Sequence, residues 1–129
     1  MPAKPLPTDA ELAILTVLWR RGPSTVRDVF EDIHKDSSTG YTTVLKLLQI
    51  MMQKGLVKRN EAERSHIYRA AVTEEQTQNR LVVDLLNRAF GGSAPQLVLR
   101  ALSAKPASEA ELSEIRALLD SAPHKGAKS

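Results

Sequence analysis

Thr42, Thr43, Lys46 and Gln49 lie on the stretch "GYTTVLKLLQIMMQKGLVKR", residues 40–59, and their side chains suit recognition better than catalysis. A threonine offers a methyl and a hydroxyl, a lysine an ammonium, a glutamine a paired donor and acceptor. These groups match the edges of nucleic-acid bases: thymine methyl, guanine O6 and N7, and the two hydrogen-bonding positions of adenine. From Thr39 to Asn60 there is no acidic residue, while Lys46, Lys54, Lys58 and Arg59 are all present. Such a surface does not repel a polyanion. On its own, however, an amphipathic helix normally carries Lys and Gln outward, and that reading is a solvated face. The surrounding elements must decide.

Those elements follow from spacing and capping. Thr8 with Glu11 three residues later forms a capping box for a helix running to Arg21. Leu12, Leu15, Leu18 and Trp19 make its apolar stripe, widened by Ile14 and Val17, and Gly22-Pro23 stop it. Ser24 is expected to cap a second helix, in which Val26, Val29, Phe30 and Ile33 share one face. The third helix spans about Tyr41 to Lys54, with Val44, Leu47, Leu48 and Met51 inward and Gly55 at its C-terminal end. Two short strands, "LVKRN" and "HIYRAAV", flank the charged loop "EAERS". On the second strand Ile67 and Arg69 point one way, His66 and Tyr68 the other. Helix, helix, helix, hairpin is the order of a winged helix-turn-helix, and its third helix is of a size to enter the major groove.

In that frame Thr42, Thr43, Lys46 and Gln49 are expected to read bases. Tyr41, Lys54, Lys58, Arg59, Arg64, Ser65 and His66 are expected on the backbone, where contacts position without reading sequence. Glu61 and Glu63 oppose this and should point away from DNA. Arg27 lies among acids and reads as a surface ion-pair partner. Arg20 and Arg21 read as favourable charge at a helix C-terminus. Met51 and Met52 read as core filling.

The remainder of the chain is helical. Thr73 and Gln76 box a helix to about Phe90, Ser93 caps a short one, and Ser108 with Glu111 boxes the last. Leu81, Val82, Leu85, Leu86, Phe90, Leu97, Val98, Leu102, Leu112, Ile115 and Leu119 form apolar faces with no sheet to lie on. So small a helical unit is marginal alone. The same unit of a second chain would cover it, giving a two-fold homodimer; the alternative is that these helices fold back onto the first domain. The expected organisation is a winged-helix domain over 1–72, with the wing at 56–71, a three-helix dimerisation domain over 73–121 and a disordered tail over 122–129. The fold class is mainly α, with a two- to three-stranded wing.

Composition narrows the function classes. The chain has 129 residues, 42% hydrophobic and only 4% aromatic, in keeping with a mainly helical domain. Residues 1–72 hold eleven Lys/Arg against eight Asp/Glu, and residues 73–129 hold seven of each, so the net charge of +3 lies wholly in the first part. An anionic partner should meet that part. There is no cysteine, which excludes disulfides and thiolate metal sites, and His34, His66 and His124 lack metal-ligand spacing. No Gly-rich phosphate loop or nucleophile–base pair is present, so no enzyme, cofactor or metal is expected. No segment is apolar enough to span a bilayer, and a soluble cytoplasmic protein is expected. The competing class is a winged helix used for protein–protein contact. Lysine is depleted in such interfaces, which argues against it.

Three segments together carry a family resemblance: "PTDAELAILTVLWRRGPSTVRDVFEDI", "GYTTVLKLLQIMMQKGLVKR" and "RSHIYRAAVTEEQ". The Leu-Trp pair late in helix one, the Tyr-Thr-Thr-Val opening of helix three and the Lys-Gly-Leu-Val lead-in to the wing resemble the penicillinase repressor (BlaI/MecI/CopY) family, from about Pro7 to Leu119. The resemblance implies a dimeric winged-helix repressor on a dyad operator, double-stranded DNA being the partner. It puts base reading at Thr42, Thr43 and Lys46, and dimerisation in the C-terminal helices. In antibiotic-responsive members a membrane metallopeptidase sensor leads to cleavage of an Asn-Phe bond in the dimerisation domain. Here "LVLRALS" aligns with that site and puts Arg100-Ala101 at the bond, where neither residue matches. The copper-responsive branch carries a C-terminal cysteine motif, and a chain without cysteine cannot sense copper by that route.

Overall fold

Glu11 shows how the first helix is set. A computed structural model describes residues 5–35, 38–62 and 64–123. In it α1 spans Asp9–Arg21, α2 Val26–His34, α3 Tyr41–Lys54, β1 Val57–Asn60, β2 Ile67–Ala70, α4 Glu74–Ala89, α5 Ala94–Ala104 and α6 Glu109–Ser121. The expected capping box is present: the Thr8 hydroxyl accepts the Glu11 N–H at 3.2 Å, and the Glu11 carboxylate accepts the Thr8 N–H at 2.9 Å. Glu11 also falls in helical phase with Ile14, Leu15 and Leu18, so the face that enters the core takes a carboxylate with it.

The cap of α2 differs from expectation. Thr25, not Ser24, closes the capping box, with Asp28 as its partner at 3.1 Å in both directions. Ser24 is committed elsewhere. Its N–H donates to the Tyr68 carbonyl at 2.9 Å and its carbonyl accepts the Tyr68 N–H at 2.8 Å. This single-residue bridge extends the two-stranded sheet beyond β2 and ties the turn before α2 to the wing. Gly55, in the left-handed region at φ 81°, ends α3 and turns the chain directly into β1.

The hairpin pairs Val57 with Ala70, Lys58 with Arg69, Arg59 with Tyr68 and Asn60 with Ile67. Residues directly opposite share a face. Val57 and Tyr68 are therefore turned into the core and are buried, while Lys58 and Arg69 are exposed on the other face. The core gathers Ile14, Leu15, Val17 and Leu18 from α1, Val26 and Val29 from α2, Val44, Leu48 and Met51 from α3, and Leu56, Val57 and Tyr68. Met52 packs on its border, as does Trp19, whose indole N–H donates to the Val72 carbonyl at 3.0 Å. Among the described residues, the closest packing between elements joins α1, α2, α3, β1 and β2.

The chain divides into two compact units, one ending at Asp84 and the other beginning at Leu85, so that α4 passes from one into the other. In α4 the single buried residue is Thr77, and α5 and α6 have none. The expected tail, 122–129, lies mostly outside the described residues, as do Glu63 and His124. No described helix is long and apolar enough to cross a membrane.

Candidate nucleic-acid interface

The outward side of α3 is built by exclusion. Once Val44, Leu48 and Met51 are turned into the core, the residues left facing water are Tyr41, Thr42, Thr43, Lys46 and Gln49. Thr42, Lys46 and Gln49 fall at i, i+4 and i+7, one continuous stripe, with Thr43 at its edge. Gln53, one turn on from Gln49, extends the stripe and is exposed. The first turn of α3 has a further property. Its N-cap is Gly40, with no side-chain cap and no acidic residue following. The five other helices are each closed by a serine or threonine side chain, at Thr8, Thr25, Thr73, Ser93 and Ser108. The positive end of the α3 dipole thus lies beside Thr42 and Thr43 with no acidic side chain in the first turn to offset it.

The expected backbone residues do not form one cluster. Tyr41, Arg59, Ser65 and His66 come together, with Gln49, around an open cleft of about 640 Å³ between the start of α2, α3 and the wing. Lys58 does not join them. It is on the outer face of the hairpin, opposite Arg69, two like charges side by side. Arg69 was missed in the sequence, because only the strand register shows that it shares Lys58's face. Arg64 and Ser65 are exposed at the hairpin turn.

Lys54 is a correction. It was expected on the DNA backbone, but its ammonium donates to both Glu11 carboxylate oxygens, at 2.9 and 2.8 Å. Glu11 is 2% exposed, and a buried carboxylate requires such a partner. Burial pushes the Glu11 pKa up. The Lys54 hydrogen bonds and the Thr8 N–H outweigh that and hold it below the ordinary glutamate value. The pair therefore fixes the end of α3 to the start of α1 and leaves Lys54 little to give a ligand.

Arg59 is partly spent too. Tyr68 and Glu61 hold its guanidinium charged, and Arg59 in turn lowers the pKa of the Glu61 carboxyl. Glu61 thus answers a wing cation rather than projecting free charge. Arg20 and Arg21 pair across helices with Asp32, at 3.8 and 3.5 Å, and Arg21 also with Asp28 at 3.6 Å. Arg27, read as an ion-pair partner, has no such pair among the described residues. Its guanidinium lies 5.3 Å from the centre of the Tyr41 ring.

The expected dimerisation residues are half-buried or exposed. Leu81, Leu86, Phe90, Leu97, Leu102, Leu112 and Ile115 are half-buried, and Val82, Leu85, Val98 and Leu119 are exposed. Leu118, on the same apolar face as Leu119, is exposed as well, and so are Val83 and Leu99, which the sequence pattern did not single out. Arg100 and Ala101 lie within α5, both exposed.

Three helices over a short hairpin, with the third helix presenting a polar, acid-free stripe, define a winged-helix protein. The fold matches the solution structure of the Bacillus licheniformis BlaI monomeric form in complex with the blaP half-operator, at a TM-score of 0.51 and 24% identity, over 58% of this chain and 92% of that one. The model of the family described as penicillinase repressor matches residues 7–121, and the chain belongs to that family. Among curated relatives, the penicillinase repressor of Bacillus licheniformis is 25% identical over 121 residues, 94% of this chain and 93% of the relative. The transcriptional regulator BlaI of Mycobacterium tuberculosis is 34% identical over 92 residues, 70% of this chain and 67% of the relative.

Proposed function

We propose that the protein is a dimeric, sequence-specific DNA-binding transcriptional repressor. The observation that carries this is the outer surface of α3: an exposed polar stripe with an uncapped start, on a chain belonging to a repressor family. Helix α3 enters the major groove, where Thr42, Thr43, Lys46 and Gln49 meet base edges. Tyr41, Arg59, Arg64, Ser65 and His66 take phosphates, with Lys58 reaching from the other face of the wing. No catalytic step is assigned to any residue.

The C-terminal helices support two copies. The apolar side chains of α5 and α6 stand half-buried or exposed, and a second chain would cover them. A two-fold dimer in turn matches a dyad operator. By position alone, Arg100-Ala101 is where a sensor protease would cut to relieve repression, although neither residue matches the Asn-Phe bond. Such cleavage requires α5 to open first, because proteolysis acts on locally unfolded chain.

The test is a fluorescence-anisotropy titration of the full chain against a duplex from the promoter region of its own gene and a scrambled duplex, at several salt concentrations. Binding to the first is expected to be tighter and to weaken steeply with salt. Lys46→Ala should cost ~1–3 kcal/mol on the first duplex and little on the second. Absence of binding to either at low salt, with the fold intact, would turn the reading toward a protein-contact module.

A further inference from the structure

Arg27 stands in the first turn of α2, a poor place for a cation, since the helix dipole is positive there. Its acidic neighbours do not compensate for it. Asp28 is closed on the Thr25 N–H at 3.1 Å and on Arg21 at 3.6 Å, which leaves it engaged away from Arg27. Glu31 is one turn further along α2 and lines the same cleft, yet no ion pair joins it to Arg27 among the described residues. A cation placed N-terminal to an anion four residues on is the weaker orientation of such a pair.

The guanidinium turns instead to α3 and lies over the Tyr41 ring. That ring is itself held, edge-on to Phe30 at 5.7 Å between centres. An arginine stacked on an aromatic face keeps its planar fork of N–H donors free at the edge. Phe30, Tyr41 and Arg27 thus form a bracket across the junction of α2 and α3, immediately beside Thr42. The opposite wall of the cleft carries Arg59, Ser65 and His66.

We infer that this cleft seats a backbone phosphate of the DNA and that Arg27, posted on Tyr41, is its donor from α2. The inference rests on the DNA-binding reading above. Phosphate rather than base is the ligand because the helix before the recognition helix crosses the backbone in this architecture. The planar guanidinium also matches two phosphate oxygens at once. Asp28 and Glu31 also line the cleft, and Asp28 is held by the Thr25 N–H and Arg21.

The experiment uses the full chain as wild type, Arg27→Ala, Arg27→Gln and Arg27→Lys, titrated against the promoter-region duplex and its scrambled counterpart from 50 to 200 mM salt. Wild-type binding is read first. If wild type binds neither duplex at low salt, the DNA reading falls and the phosphate seat falls with it. If wild type binds, the variants decide the seat alone. Arg27→Ala and Arg27→Gln should weaken both duplexes by a similar factor and make the salt slope shallower by roughly 0.9 per bound protomer. The wild-type advantage then shrinks about three- to fourfold per protomer across that salt range. Arg27→Lys should keep the wild-type slope. A neutral variant that melts like wild type and keeps its slope and affinity overturns the inference. Loss confined to the promoter-region duplex overturns it as well, because a base reader behaves that way.

Discussion

In α1, Ile14 and Leu15 are wholly buried; in α6, Leu118 and Leu119 are each 62% exposed. Both helices carry regular leucine-rich faces and both begin with an intact capping box. Local sequence therefore forms the two helices equally well, and what differs is what lies opposite. α1 meets α2, α3 and β2 within its own chain. No described residue of α6 is buried. An amphipathic stripe states that a face is to be covered, and it does not state by which chain.

The comparison is broken most severely by substitutions on its two sides. Leu48→Ala removes a side chain with no exposed surface at the centre of the first unit. It should cost about 2–5 kcal/mol in denaturant unfolding, at any protein concentration. Val98→Asp, at a position 46% exposed in the single chain, should leave the first unit's unfolding unchanged. It should lower only the concentration-dependent part of stability and shift sedimentation from dimer to monomer. If Val98→Asp sediments as wild type, α5 is not part of the dimer contact.

A second test sharpens what holds the reading helix in the first unit. Lys54→Met removes the ammonium and leaves Glu11 buried without its partner. The expected loss is roughly 2–3 kcal/mol, less than the ~3–5 kcal/mol of a fully enclosed pair, because Lys54 keeps some contact with water. The pair also gives a pH signature. The folded-state pKa of Glu11 is depressed, so the stability it contributes is present above glutamate's ordinary value. That contribution is lost as pH falls from glutamate's ordinary value through the lower folded-state value. Urea unfolding of wild type and Glu11→Gln at several pH values should show the two curves converging with acid. Parallel curves would mean that Glu11 titrates normally in the folded chain.

Most of the fold was legible because its signals are local. The boxes at Thr8 and Ser108, the stop at Gly55 and the alternation along β2 are each written in a few adjacent residues. What escaped is non-local. Ser24 was read as a cap because serine before a helix usually is one; its pairing with Tyr68 depends on a strand far along the chain. Lys54 was read as an outward cation because Lys at a helix end usually is; only the phase of α1, which buries Glu11, calls it inward. The same limit applies to Arg27, whose partner is an aromatic ring on the next helix rather than a neighbouring acid. The α3 stripe of Thr42, Lys46 and Gln49 was legible because helical periodicity alone places it.

The smallest expected effect tests the one helix whose start is left open. Gly40 has φ −85° and ψ 165°, a conformation open to any residue, and a side chain there would meet nothing within 4 Å. Serine or aspartate would accept an N–H of the first turn and lose less chain entropy on folding. Each substitution should stabilise the domain by about 0.5–1 kcal/mol. If the open amides exist to approach a phosphate, stability and binding should then part company. Gly40→Asp places a negative charge where the phosphate would sit and should weaken DNA binding about two- to fivefold, the scale of a charge at a helix terminus. Gly40→Ser, with the same cap and no charge, should weaken it less. Equal binding by both variants would mean that the amides at the start of α3 face water and that the exposed stripe alone makes the contact.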